Sequence, residues 1–211
     1  MSLMITKIVL TGGPCAGKTT TTERIEEVFS KLGYAVFSLP EAATLFINAG
    51  ADFLTQDRHL YFETEKNMLT FLLQMEDSFY RIAEATGKPA LVINDRGAMD
   101  ISAYMTPEDW KRLLASVNLT EEDLLARYKA VFHLCTSAKG APNSYTLSNN
   151  SARMETIEEA VSVDDNLIRA WQSHPNLHII ESEEFVKDKI DKVLTGIAHE
   201  LGIHETVTFD I

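Results

Sequence analysis

The chain has 211 residues, enough for one α/β domain with a full core and short for two. Its 19 basic residues stand against 31 acidic ones, a net charge of −12. That excludes the basic stripe that sequence-independent nucleic-acid binding needs and disfavours an anionic membrane surface. Two cysteines cannot build a disulfide framework and fit a reducing, cytoplasmic setting. No apolar run is long enough to span a membrane, and the start "MSLMITK" carries no secretory signal.

"MITKIVLT" reads as a buried strand that ends at a glycine pair. There follows Gly12-x4-Gly17-Lys18-Thr19, the pattern G-x-x-x-x-G-K-[ST] between a strand and a helix, which is the context that gives the pattern its meaning. Such a loop turns backbone N–H groups toward phosphate oxygens at a helix N-terminus. Gly12, Gly13, Pro14, Cys15, Ala16, Gly17, Lys18, Thr19 and Thr20 are therefore the expected triphosphate cradle. Lys18 is expected to reach the β- and γ-phosphates, and Thr19 to hold Mg²⁺ through its hydroxyl.

The helix after the loop starts at about Lys18 and stops at Gly33, and "YAVFSL" is the second strand. Pro40 opens a short helix that ends near Gly50. A long helical pattern runs from Thr55 to Thr86, with Leu60, Met68, Phe71, Leu72, Met75, Phe79 and Ile82 as its apolar stripe. "PALVIND" is the third strand. Thr106 with Pro107, and Thr120, are N-caps of two further helices. "KAVFHLC" is the fourth strand. The polar stretch 136–152 is too long for a tight turn and reads as a lid. A helix from about Arg153 to Gln172, the strand "NLHIIES" and a last helix capped by Ser182 and ended by Gly202 complete the chain. Strands alternating with helices predict one domain over 1–211, an α/β fold with a parallel sheet covered on both faces and ligands at the carboxyl ends of the strands.

Two common classes of nucleotide hydrolase are disfavoured. A motor of the extended AAA type follows its Walker-B Asp with a Glu that activates water, whereas here Asp95 is followed by Arg96. A Ras-like GTPase carries N-K-x-D, which is absent. His59 and His133 have no partner at metal-ligand spacing, and the six histidines read as structural or surface residues.

After the third strand comes "DRGAMDISAY". It resembles the D-R-Y-x-x-S-x-x-A-Y of thymidylate kinases: Asp95, Arg96, Ala103 and Tyr104 match, Gly97 replaces the Tyr and Asp100 the Ser. Deoxyribonucleoside kinases carry E-R-S there and a Glu base after their second strand, where this chain has Glu41. The stretches "LTGGPCAGKTT", "DRGAMDISAY", "YTLSNNSARMET" and "AWQSHPNLHIIE" together resemble the P-loop AAA-domain family. That family joins the kinase domain of the NadR proteins to the TRPL translocation defect proteins of insects, and the likeness runs from about 5 to 200. It implies a P-loop three-layer sandwich with five parallel strands in the order 2-3-1-4-5. The NadR domain resembles a nicotinamide riboside kinase, which implies ATP- and Mg²⁺-dependent transfer to a small nucleoside- or nucleotide-like acceptor. The insect proteins resemble GTP-binding regulators, which implies the alternative of an ATP- or GTP-binding switch with slow hydrolysis.

Transfer chemistry needs positive charge on both sides of the moving phosphoryl group. The candidate catalytic residues are Lys18, Glu41, Asp95, Arg96 and Arg153. Arg96 stands beside the phosphates. Arg153, at the end of the lid, either closes over the γ-phosphate or pairs with Glu155 or Glu158 on its own helix. Lys139 either touches phosphate or is solvated. Glu41 accepts a proton from the acceptor, binds its ribose, or stabilises the first turn of its helix. Asp95 holds Mg²⁺ or orients Arg96. Asp100 and Tyr104 line an acceptor pocket or pack beneath it. On the long helix, Gln74 is a candidate for reading a base, and Phe62, Phe71 and Phe79 either stack on a ring or fill the core.

Overall fold

The computed structural model describes residues 4–140, 156–183 and 185–203. Five strands, β1 (Ile5–Gly12), β2 (Ala35–Leu39), β3 (Ala90–Asp95), β4 (Ala130–Leu134) and β5 (Leu177–Ile180), form one sheet in the order β2-β3-β1-β4-β5. Every neighbouring pair is parallel, with Ile8 opposite Ile93 on one side and Ala130 on the other. The expected strand order is therefore present.

The helices are α1 (Lys18–Lys31), α2 (Ala42–Asn48), α3 (Arg58–Ala85), α4 (Pro107–Val117), α5 (Glu121–Leu125), α6 (Ser137–Gly140), α7 (Ile157–Trp171) and α8 (Val186–Glu200). A 3₁₀ segment, Ala98–Tyr104, follows β3. Strand side chains alternate between faces, so one strand feeds two cores. Ile8 and Leu10 of β1 pack with Ile25, Phe29, Val193, Leu194 and Ile197 of α1 and α8. Val9, between them, faces Met68, Leu72, Trp110 and Trp171 on the side of α3, α4 and α7. Helices thus cover both faces, giving three layers.

Most expected boundaries are met within two or three residues. Thr106 caps α4 through Asp109 N with Pro107 at the first turn, and Thr120 caps α5 through Asp123 N. Three expectations change. Helix α7 begins at Ile157, because Thr156 and Glu159 form a reciprocal capping box there. Helix α8 begins at Val186, with Phe185 at the cap position and no side-chain cap, so Ser182 does not cap it. The buried face of α3 is Glu65, Met68, Leu69, Leu72, Glu76 and Ala83, while Leu60, Phe71 and Ile82 are exposed. The apolar stripe read from sequence is rotated because two carboxylates occupy buried positions in place of apolar residues. Among the described residues no helix is long and apolar enough to cross a membrane.

Candidate nucleotide and phosphoryl-transfer site

At the carboxyl end of β1 the chain turns sharply into α1. Gly12 has φ +148, and a Cβ there would lie 2.2 Å from the Leu134 carbonyl oxygen, so only glycine fits. Gly17, at φ +88, is the N-cap of α1. Between them the loop carbonyls are tied outward. Thr136 Oγ1 donates to Pro14 O at 2.6 Å, Ser137 Oγ to Cys15 O at 2.7 Å and Lys189 Nζ to Ala16 O at 3.0 Å. In a trans peptide the carbonyl and the following N–H point opposite ways. Three outward carbonyls therefore turn the N–H groups of Cys15, Ala16 and Gly17 toward the concave side, an anion nest at a helix N-terminus. Gly13 differs from the expectation for the cradle: its N–H is turned outward and donates to Asp164 Oδ1 at 2.9 Å.

Lys18 and Asp95 bring β3 to this nest, with Lys18 Nζ 3.9 Å from Asp95 Oδ1. Asp95 Oδ1 is buried without a hydrogen-bond partner among the described residues, and burial raises the Asp95 pKa above the ordinary carboxylate value. The Thr19 hydroxyl side of α1 is open to solvent. A carboxylate oxygen and a threonine hydroxyl are oxygen donors of the kind that suits Mg²⁺.

Arg96 follows at once. Its backbone is left-handed, φ +66, a conformation that costs a non-glycine residue about 1–3 kcal/mol. That turn swings its side chain to Glu41, whose Oε1 accepts from Arg96 Nε at 2.5 Å, while Asp100 Oδ1 lies 3.8 Å from Nη1. Burial alone would lower the Arg96 pKa, but Tyr104, Asp100, Glu41 and Asp95 outweigh it and raise it. Glu41 Oε2 accepts from the Thr44 hydroxyl at 2.6 Å. Burial would raise the Glu41 pKa, but Arg96, Thr44 and Lys18 bring it below the usual value, so Glu41 is ionised. Glu41 and Asp100, rather than Asp95, orient Arg96. Asp100 is buried, accepting from Thr11 Oγ1 and, at 2.6 Å, from Gly97 N, so it braces the turn from beneath.

The remaining expected residues fall as follows. Gln74 is exposed, close to the buried Glu76, which pairs with Lys7 at 2.8 Å near the start of β1, so it stands away from the strand ends and is not placed to read a base there. Phe71 packs on Phe46 and Phe79 on Phe37, and Phe62 lies under the Arg112 guanidinium at 4.0 Å, which are packing roles. Lys139 is 2.7 Å from Asp164 and 2.6 Å from Asp165. Arg153 and the lid residues after Gly140 lie outside the described residues.

Three site residues escaped the sequence reading: Asp164, Lys189 and Glu65. Asp164 Oδ1 accepts from Gly13 N, from Thr136 N at 3.1 Å and from His133 Nε2 at 3.1 Å. Burial would raise its pKa, but His133, Lys139 and the Gly13 amide outweigh that and bring it to about 2. His133, Cys135 and Asp164 place ligand atoms within 4.8 Å of one another. They do not suit a metal, since Asp164 faces the Lys139 ammonium and the Cys135 thiol, pushed up to about 12 by burial and by Asp164, stays protonated. Lys189 is buried and also donates to Cys135 O at 2.5 Å. Glu65 sits on α3 three turns from Glu76, about 16 Å nearer the site end.

Several solved structures are similar in fold. Deoxyadenosine kinase from M. mycoides with bound dATP aligns at TM-score 0.57 and 18% identity, over 90% of this chain and 98% of that one. NadR protein in complex with NAD and AMP-PNP aligns at TM-score 0.62 and 16% identity, and NadR in complex with NR at 0.63 and 15%. Both cover 94% of this chain, which spans about half the length of those NadR chains. Comparison with curated proteins gives no match. Residues 7–189 match the family described as AAA domain, and the chain belongs to that family.

Proposed function

We propose that the protein is an ATP- and Mg²⁺-dependent phosphotransferase acting on a small nucleoside- or nucleotide-like acceptor. The observation that carries this reading is Arg96: a strained backbone turn holds a half-buried guanidinium on Glu41 and Asp100 at the end of the strand beside the phosphate loop. Strained backbone of this kind clusters at functional sites. A cation fixed beside the nest stabilises charge on a phosphoryl group in flight.

The N–H groups of the nest and Lys18 hold the β- and γ-phosphates. Thr19 and Asp95 would hold a magnesium ion, which would neutralise phosphate charge. Arg96 takes the opposite side. Glu41, ionised and fixed by Arg96 and Thr44, receives the acceptor hydroxyl by hydrogen bond and takes its proton. Arg153 belongs to this proposal from the sequence alone. GTP in place of ATP and a cytoplasmic setting belong to the same reading, with neither Cys15 nor Cys135 in a disulfide.

The test is incubation with γ-labelled ATP or GTP and a panel of nucleosides and nucleotides, nicotinamide riboside included. Label on an acceptor is the expected result. Slow release of free phosphate alone, across the whole panel, would refute the transfer and favour the switch.

A further inference from the structure

The acidic residue closest to the phosphate loop on its outer side is not one the transfer chemistry uses. Asp164 projects from α7 straight at the loop backbone, and a Cβ added to Gly13 would lie 2.8 Å from its Oδ1. The carboxylate is fully buried and ionised. Three separate elements converge on it: the loop through Gly13 N, the end of β4 through His133 and Thr136 N, and α6 through Lys139. Thr136 and Ser137, just before Lys139, are the residues that hold the Pro14 and Cys15 carbonyls outward. A buried carboxylate behind an anion nest is an electrostatic conflict. Uncompensated, it opposes the charge of any triphosphate bound on the other side of one layer of backbone. Lys139 Nζ, 2.7 Å from Asp164 Oδ2, is the compensating charge.

We propose that Asp164 is a positioning residue for the nucleotide: it fixes the shape of the nest through the Gly13 amide, and Lys139 cancels its charge so that the nest stays attractive to polyphosphate. The proposal rests on the loop binding a nucleoside triphosphate. It assigns Lys139 a role other than touching phosphate, and it gives α7, which follows the lid in sequence, a direct grip on the loop. Asp165 also pairs with Lys139 at 2.6 Å, but it is solvent-exposed, so its charge is screened and matters less.

The experiment is a set of equilibrium titrations of the full chain with fluorescently labelled ATP, ADP and AMP in the presence of Mg²⁺, repeated with the GTP series. The variants are Lys139→Met, Asp164→Asn, the double variant, and Asp165→Asn as a control. Lys139→Met is expected to weaken triphosphate binding about tenfold, with the loss graded triphosphate over diphosphate over monophosphate, because an electrostatic term scales with ligand charge. Asp164→Asn keeps an oxygen for Gly13 N and removes the charge, so the double variant is expected to bind triphosphate within about threefold of Asp164→Asn alone. Asp165→Asn is expected to change binding less than about twofold. A purely structural role would weaken all three nucleotides equally and overturn the proposal. Equal loss from Lys139→Met in both backgrounds would also overturn it, by showing that Lys139 acts without Asp164. If the unaltered protein binds neither series, the transferase reading and this proposal fall together. If it binds and the double variant shows no rescue, only the proposal falls.

Discussion

Gly97 is where this chain departs from the kinase-like motif, and Gly97→Ala measures why. Its backbone, φ −122 and ψ −178, is open to any residue, so the substitution carries no conformational strain. The obstacle is space. A Cβ would lie 2.7 Å from Val9 Cγ2 and 2.9 Å from Trp171 Cζ2, and Trp171 is fully buried. Overpacking of this kind costs about 1–3 kcal/mol. Replacing glycine recovers about 0.4–1 kcal/mol by restricting the unfolded chain. The net expectation is a loss of about 1–2 kcal/mol, or about 2–8 °C in Tm for a domain of this size. Urea unfolding, read as a fall in midpoint at unchanged slope, measures it. Trp171→Phe removes the two indole atoms in the way, together with a buried N–H that has no partner. In that background Gly97→Ala is expected to cost about 1 kcal/mol less. Strict additivity of the two substitutions, or a neutral Gly97→Ala, would refute the argument that the indole fills the place of the missing side chain.

Arg96→Ala is expected to lower kcat on the order of 10³-fold while nucleotide affinity by titration moves only a few-fold, because Arg96 contacts charge that develops during transfer. Glu65 has its pKa pushed up to about 7 by burial, with Tyr61 opposing only in part. A folded pKa above the unfolded one contributes stability at low pH that is lost as pH rises from about 4.5 through 7. Glu65→Gln is therefore expected to be more stable than the parent at pH 8 by about 3 kcal/mol and nearly equal to it at pH 4, as urea unfolding at the two pH values will register. Glu76→Ala strands Lys7, though Arg127 keeps Asp77, and is expected to cost about 3–5 kcal/mol, whereas Lys7→Met with Glu76→Met together cost much less; calorimetry of the three proteins decides.

The parts of the site that lie along one stretch of chain were legible. Gly12 through Thr20 announced a loop between strand and helix, and Asp95–Arg96 announced a polar pair at a strand end. What the sequence concealed is how residues distant in the chain meet. Glu41 and Arg96 were each read as candidates, yet nothing local says that one carboxylate orients the other's guanidinium. Asp164, Lys189, Glu65 and Glu76 share one signal that was available: each is a charged residue at a helix position whose neighbours at i+3, i+4 or i+7 are buried and apolar. Ala160, Leu167 and Trp171 surround Asp164 on α7 in this way, and Ile190, Val193 and Ile197 accompany Lys189 on α8. A charge in an apolar stripe needs a partner from elsewhere. Periodicity identifies the anomaly but not the partner, since Gly13 and Asp164 are brought together only by the packing of α7 against the sheet. The capping box of Thr156 and Glu159 was likewise readable, and it would have moved the start of α7.

One phenolic oxygen joins the turn after β3 to a buried ionic cluster. Tyr128 Oη accepts from Ala98 N at 2.9 Å and donates to Glu76 Oε1 at 2.6 Å, and Glu76 is held by Lys7 and Arg127. Ala98 stands just after the turn that carries Arg96. The chain just after Arg96 is thus moored to a cluster that joins α3, β1 and the segment before β4. A loosened cluster is therefore felt at the Arg96 turn through the Ala98 amide.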